Sequence, residues 1–242
     1  MDEVSIERRR LLRACALAAA GAGGLGLVER LHAAADNQPL KRYDTTRLVD
    51  GDGRPLKTKQ LAVHRNYLFN YPYAATPCFL LVLDRAVQRT ELSDANGAHY
   101  AWPGGVGPKA SIVAYSAICA HKLAYPAREV SFIRFQEQAS PTAKAGVIHC
   151  CAEHSIYDPA SGARVVSGPA PQPLAAIALE YDPKADELIA IGTVGAEQFE
   201  PFFAKYEFKL GMEHGASGAK RPVGATTACR EMSQVCRQTI QC

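Results

Sequence analysis

The chain has 242 residues, 48% of them hydrophobic, with ordinary charge content and a formal net charge of +3. That is enough apolar material to bury a core in one domain, and it excludes disorder throughout. The small net charge, with no polybasic run outside the N-terminus, gives no nucleic-acid footprint and implies neither an acidic nor a basic substrate.

In chain order, the first feature is an address. An arginine-rich start, Glu7-Arg8-Arg9-Arg10-Leu11-Leu12-Arg13, is followed by an uncharged Ala/Gly/Leu stretch from Ala14 to Val28 and by the small-residue run Ala33-Ala34-Ala35. This resembles a bacterial twin-arginine export signal, whose Ser/Thr-Arg-Arg-x-Phe-Leu-Lys pattern is kept at both arginines and replaced elsewhere. The competing assignment is a retained anchor. Residues 14–28 at about 1.5 Å each reach only about 22 Å, short of a hydrocarbon core of about 30 Å. Residues 1–35 are therefore expected to be a signal that places the folded part in the periplasm, with membrane contact only peripheral or through an uncleaved signal.

From residue 36 the chain reads as an all-β, antiparallel domain extending to about residue 210. The segments QLAVHRNYLFNY, PCFLLVLDRAV, KASIVAYSAI, EVSFIRFQ, AGVIHCC, PLAAIALEY and ELIAIGTV are rich in β-branched and aromatic residues. Turn signals such as DANG, WPGGVGP, DPASG and DPKAD separate them. The clearest hairpin is LAAIALEYDPKADELIAIGTV. One helix is expected within AEQFEPFFAKYEFKL, where Phe199, Phe202, Phe203, Tyr206 and Leu210 recur at helical spacing and Pro201 fits a first turn. That aromatic stripe is expected to be core packing. Residues 211–242, rich in Gly, Ala and Ser and ending in Cys229, Cys236 and Cys242, read as a mobile tail fastened by a disulfide.

Two short motifs carry the chemistry. Cys119-Ala120-His121 forms Cys-x-His, and Cys151-Ala152-Glu153-His154 forms Cys-x-x-His, each in a loop after an expected strand. Two thiolates and two imidazoles suit a soft iron or zinc ion. Cys151 has the x-x spacing to His154 and is expected to be a ligand with it, whereas His149 and Cys150 are not.

The pair of motifs resembles the Rieske iron-sulfur family, in which one iron of a [2Fe-2S] cluster takes two Cys and the other two His. The text downstream, SIYDPASGARVVSGPAPQPL, is similar to that family's Ser-x-Tyr-Asp, glycine turn and Gly-Pro-Ala-Pro. The resemblance spans about residues 111–174 and implies a Rieske-like β-sandwich with inserted cluster loops. It implies Cys119 and Cys151 on the inner iron and His121 and His154 on the outer one. Ser155 and Tyr157 would donate to a bridging sulfide and to the Cys119 sulfur, and Gly168, Pro169, Ala170 and Pro171 would cover the cluster. The quinol-oxidising branch braces its loops with an extra disulfide, but the corresponding positions here are Ala124 and Glu153, so that bridge cannot form. The family's glycine after the second histidine is also missing, since His154 runs directly into Ser155.

The resemblance implies a periplasmic one-electron carrier or electron-transfer subunit of an oxidoreductase. Its redox partner would be a c-type cytochrome, a molybdenum enzyme or a quinol-oxidising complex. Two histidines in place of thiolates would set a potential of roughly −150 to +300 mV. No catalytic site of its own is expected, since an oxygenase needs a further mononuclear iron site and the residues after 174 contain only His214. A structural Cys2His2 zinc domain is the alternative, and a plain module in which Cys119 and Cys151 pair is a third. Of the remaining cysteines, Cys78, Cys150, Cys229, Cys236 and Cys242, the short-range expectation is Cys229–Cys236 or Cys236–Cys242. The longer-range one joins a tail cysteine to Cys150 as a clamp on the second loop.

Overall fold

The computed structural model describes residues 40–242, so the leader expected over 1–35 lies outside the described residues. In chain order the strands are β1 (Leu40–Val49), β2 (Tyr67–Asn70), β3 (Pro77–Val82), β4 (Thr90–Ser93), β5 (His99–Trp102), β6 (Ile112–Ser116), β7 (Val130–Ser131) and β8 (Ile133–Gln136). They continue with β9 (Val147–Cys150), β10 (Ser155–Asp158), β11 (Arg164–Ser167), β12 (Ala176–Asp182), β13 (Glu187–Val194), β14 (Thr226–Ala228), β15 (Arg230–Glu231) and β16 (Gln238–Thr239). Helices α1 (Phe199–Lys205), α2 (Glu207–His214) and the single turn α3 (Met232–Val235), with 3-10 turns at Thr58–Gln60 and Pro159–Ser161, complete the described elements. The all-β class expected from the sequence is observed. Among the described residues no helix is long and apolar enough to cross a membrane.

Eight strands form the main sheet in the order β14-β1-β13-β12-β6-β3-β2-β15, and β11-β10-β9-β8 form a second sheet. Every residue of PCFLLV in β3 and of IVAYS in β6 is buried, which explains why these segments read as continuous apolar runs. Strand alternation divides them between two cores. Phe79, Leu81, Val113 and Tyr115 pack with Ile133, Phe135, Ile148 and Tyr157 of the second sheet. Leu80, Val82, Ile112 and Ala114 face the other way, into a core closed by Leu48 of β1 and by Leu188 and Ala190 of β13. Asn66 ties the two sheets together, its side-chain amide donating to Phe135 O at 2.9 Å and accepting from Phe135 N at 2.7 Å.

The expected hairpin is β12–β13, in register at Tyr181↔Leu188, with the Asp182 carboxylate accepting from Lys184 and Ala185 N–H groups at its turn. The hairpin β4–β5 turns at DANG, where Asp94 accepts from Asn96 and Ala98 and Gly97 has φ +78. The single helix expected through Leu210 is instead two, meeting at Tyr206 and running on to His214. Its aromatic stripe is core packing: Phe202 lies 4.9 Å from the Tyr125 ring and 5.4 Å from Tyr206, edge-on or tilted.

Residues 211–242, expected to be a loosely held tail, are woven into the sheets. β14 extends the main sheet beside β1, β15 pairs with β2 at Arg230↔Leu68, and β16 pairs in parallel with β7 at Gln238↔Val130. Backbone pairing accounts for the difference, because three short strands with little side-chain signal still satisfy their N–H and C=O groups on exposed edges.

Phe202 is fully buried. Phe202→Ala is expected to cost about 3–5 kcal/mol in urea unfolding, the usual price of emptying a buried aromatic site. Because Phe202 holds Tyr125, amide exchange should quicken over residues 120–125 more than in β12–β13.

Candidate metal centre

Each sheet contributes one loop to the site. The first leaves β6 and turns tightly, with Cys119 N–H donating to Ala124 O at 2.8 Å and Leu123 N–H to Cys119 O at 3.0 Å. The turn aims the backbone N–H groups of His121 and Lys122 at the Cys119 sulfur. Behind it, Ile118, Leu123 and Tyr125 pack on Phe199, Phe202 and Phe203, and the Lys205 ammonium donates to Lys122 O. The two helices thus hold the first loop.

The second loop joins β9 to β10, and Cys150 pairs with Ser155 across it. Here the N–H groups of Ala152 and Glu153 point at the Cys150 sulfur. Both Cys119 and Cys150 are free and buried, at 1% exposure each, and their thiols face one another. The expected partner of Cys119 is thereby corrected. Cys151 is bonded to Cys242, with S–S 2.07 Å and Cα–Cα 5.7 Å, and a disulfide sulfur offers no thiolate to a metal. The bridge also replaces every expected tail pairing: Cys229 and Cys236 are free, and the tail clamps the residue next to Cys150 rather than Cys150 itself.

The thiol pair titrates as a unit. Donation from the Cys150 thiol is the largest influence on Cys119, and Tyr157 and the two backbone N–H groups add to it. Together they outweigh burial and hold Cys119 well below the usual thiol range. Cys150 is pushed far above the usual thiol range, first because its thiol donates a hydrogen bond to Cys119 and then by burial. The pocket therefore accepts one negative charge readily and a second only against repulsion, a balance that a bound cation would reverse.

Tyr157 hydroxyl lies 3.3 Å from the Cys119 sulfur and accepts from Ala120 N–H at 3.1 Å, which leaves its own proton for the sulfur. Two buried polar atoms in the site have no hydrogen-bond partner, His121 Nδ1 and Ser155 Oγ. His121 Nδ1 is 3.7 Å from Glu153 Oε2, beyond hydrogen-bond range. Glu153 Oε1 lies 3.5 Å from Lys122 Nζ.

His154 stands elsewhere. Its backbone has φ +57, and its Nδ1 lies 3.4 Å from Nε2 of the buried His149. His149 in turn contacts Cys242 Sγ at 3.5 Å and Gln136 Oε1 at 3.2 Å. His149, Cys151 and Cys242 thus cluster on the far side of the loop, but the disulfide consumes both sulfurs and leaves one imidazole, which is no metal set. Gly168 and Pro169 are exposed, and Gly168 lies directly on the second loop. At φ +88, a Cβ there would come within 2.3 Å of His154 O and 2.6 Å of Ser155 Cα, so only glycine permits this approach.

A signal for Cys150 is present in the sequence. Counted back from Ser155-x-Tyr157 instead of from His154, the Cys-x-x spacing starts at Cys150 and ends at Glu153. On that count the position opposite Ala124 for a loop-bracing cysteine is Ala152, and the brace is still absent.

No family model matches the sequence. Among solved structures, the chain is similar to the soluble domain of the Rieske protein II (soxF) from Sulfolobus acidocaldarius. The identity is 27%, over 62% of this chain and 78% of that one, with a TM-score of 0.46.

The Cys151–Cys242 bridge closes a loop with a sequence separation of 91 residues. Non-reducing peptide mapping should return one linked peptide joining residue 151 to residue 242, with residue 150 unlinked to the tail. Cys242→Ser should lower unfolding stability by about 2–4 kcal/mol, measured by denaturant titration without reductant.

Proposed function

We propose that this chain is a one-electron carrier of the Rieske type, exported to the periplasm by its twin-arginine leader and serving a redox partner there. The observation that carries the proposal is the facing pair Cys119 and Cys150, each sulfur aimed at by two backbone N–H groups of its own loop. Such amides stabilise negative sulfur in a dry site, as thiolates bound to iron require. The partnerless Nδ1 of His121 and Oγ of Ser155 fit the same group, because each is a buried polar atom on one of the two loops that is left without a hydrogen-bond partner.

On this reading Cys119 and Cys150 hold the inner iron, His121 holds the outer one, and Ser155 Oγ and Tyr157 hydroxyl donate toward sulfur. When bound, a [2Fe-2S] cluster of this type supplies a one-electron couple at higher potential than all-cysteine clusters. The protein's own contributions are specific. The Tyr157 hydroxyl and four backbone N–H groups pre-orient around the sulfurs, Gly168 lets the covering loop lie against the second loop, and both sheets keep water from the thiols. His121, with its side chain 22% exposed, is the edge nearest solvent. The donor and acceptor would be mild redox proteins or complexes, a c-type cytochrome, a molybdenum enzyme or a quinol-oxidising complex among them.

Purified protein should be coloured, hold two irons and two sulfides, and give an EPR signal when reduced. Cys150→Ser should abolish the colour, whereas Cys151→Ser should keep it. A colourless, zinc-loaded protein would sink the proposal, because Cys and His donors suit zinc equally.

Tyr157→Phe removes the hydroxyl that donates to Cys119. At intact iron content it is expected to lower the midpoint potential by roughly tens of millivolts, since hydrogen bonds to sulfur favour the reduced, more negative state. An unchanged potential would reduce Tyr157 to a packing residue.

A further inference from the structure

On the iron-sulfur reading above, we infer that the fourth protein ligand is the carboxylate of Glu153, so that this centre is held by Cys119, Cys150, His121 and Glu153 and by a single imidazole.

Three observations converge on Glu153. Its backbone N–H is directed at the Cys150 sulfur, and its side chain, 47% exposed, stands at the solvent edge of the second loop beside His121. Its Oε2 is 3.7 Å from His121 Nδ1, a buried nitrogen without a hydrogen-bond partner. That separation is too long for a hydrogen bond. It is close to the spacing of about 3.4 Å between two donor atoms that share one tetrahedral ion with bonds of about 2.1 Å. Finally, Ser155 and Tyr157 anchor the loop beside the thiol pair, through the Cys150↔Ser155 register and the Tyr157 contact with Cys119. With those points fixed, the third residue after Cys150 is Glu153 and the next is His154.

His154 is held away by its surroundings. It occupies a left-handed backbone position against which Gly168 is packed, and its ring is engaged with His149 on the disulfide side of the loop. Reaching His121 would mean giving up that contact with His149. Glu153 needs no such change. The plain alternative is a surface carboxylate paired with Lys122, but that pair uses Oε1 and leaves Oε2 directed at the imidazole. Lys122 also offsets the extra negative charge that a carboxylate brings where an imidazole would be neutral. A harder, anionic donor is expected to make the oxidised state relatively more stable, so the potential falls below that of a two-histidine centre.

The test counts imidazoles on the reduced, full-length protein labelled with 15N-histidine, by pulsed EPR or ENDOR, alongside iron and sulfide content. One strongly coupled imidazole is expected in the wild type, and the same single coupling in His154→Asn, a substitution chosen because Asn tolerates the left-handed backbone. Glu153→His should show a second strongly coupled imidazole and a higher midpoint potential. Two couplings in the wild type, loss of one in His154→Asn, or no second coupling in Glu153→His would each overturn the assignment while leaving the iron-sulfur reading intact. A wild type without iron and sulfide would overturn that reading, and this inference with it.

Discussion

The structure is organised around two thiols that face each other across a buried seam. A buried pair of ionisable sulfurs is costly unless its charge is met by donors or by a cation. The molecule meets it with backbone amides, two for each sulfur, supplied by loops that belong to different sheets. That arrangement dictates much else. Both loops must turn within a few residues, the strands before them must end close together, and the surrounding side chains must exclude water.

Two unlike devices hold the loops. The first loop rests on aromatic packing, with Phe202 and Tyr206 against Tyr125 and a lysine donating to the loop's backbone. The second is held covalently, by a bridge from Cys151 to the end of the chain. The path of that chain end matters. β16 pairs with β7 in the insert between the motifs, Ile240 N–H donates to Ser131 O, and Arg134 donates to Ile240 O, so Cys242 arrives beside Cys151 on a supported strand. The insert and the C-terminal segment, neither of which carries site chemistry, together perform the bracing that a direct bridge between Ala124 and the second loop cannot.

Adjacent cysteines on a strand end also divide labour. Cys150 ends β9 and Cys151 opens the turn after it, and the two side chains go to opposite sides. One faces Cys119 in the dry seam and stays a thiol. The other faces His149 and Cys242 and is oxidised. Glu153 and His154 follow in the turn between β9 and β10, where the left-handed backbone of His154 goes with a carboxylate beside His121 and an imidazole beside His149.

The amino-acid sequence by itself determined the β class, the hairpin β12–β13, the buried runs of β3 and β6, the aromatic helix stripe, and the contact of Tyr157 with the Cys119 sulfur. These are legible because residue periodicity, turn chemistry and close spacing act over a few residues. β1, rich in charged and polar residues, and the short strands of residues 226–239 were not legible, since their place depends on edges offered by distant strands. Tertiary structure decided between the two counts the sequence allows for the second loop, placing Cys150 rather than Cys151 opposite Cys119 and Glu153 beside His121, and it alone decided where Cys242 bonds. The reason is register: β9 is fixed by its pairing with β8 and β10, and a slip of one residue would exchange the two faces of the loop and every side chain on them.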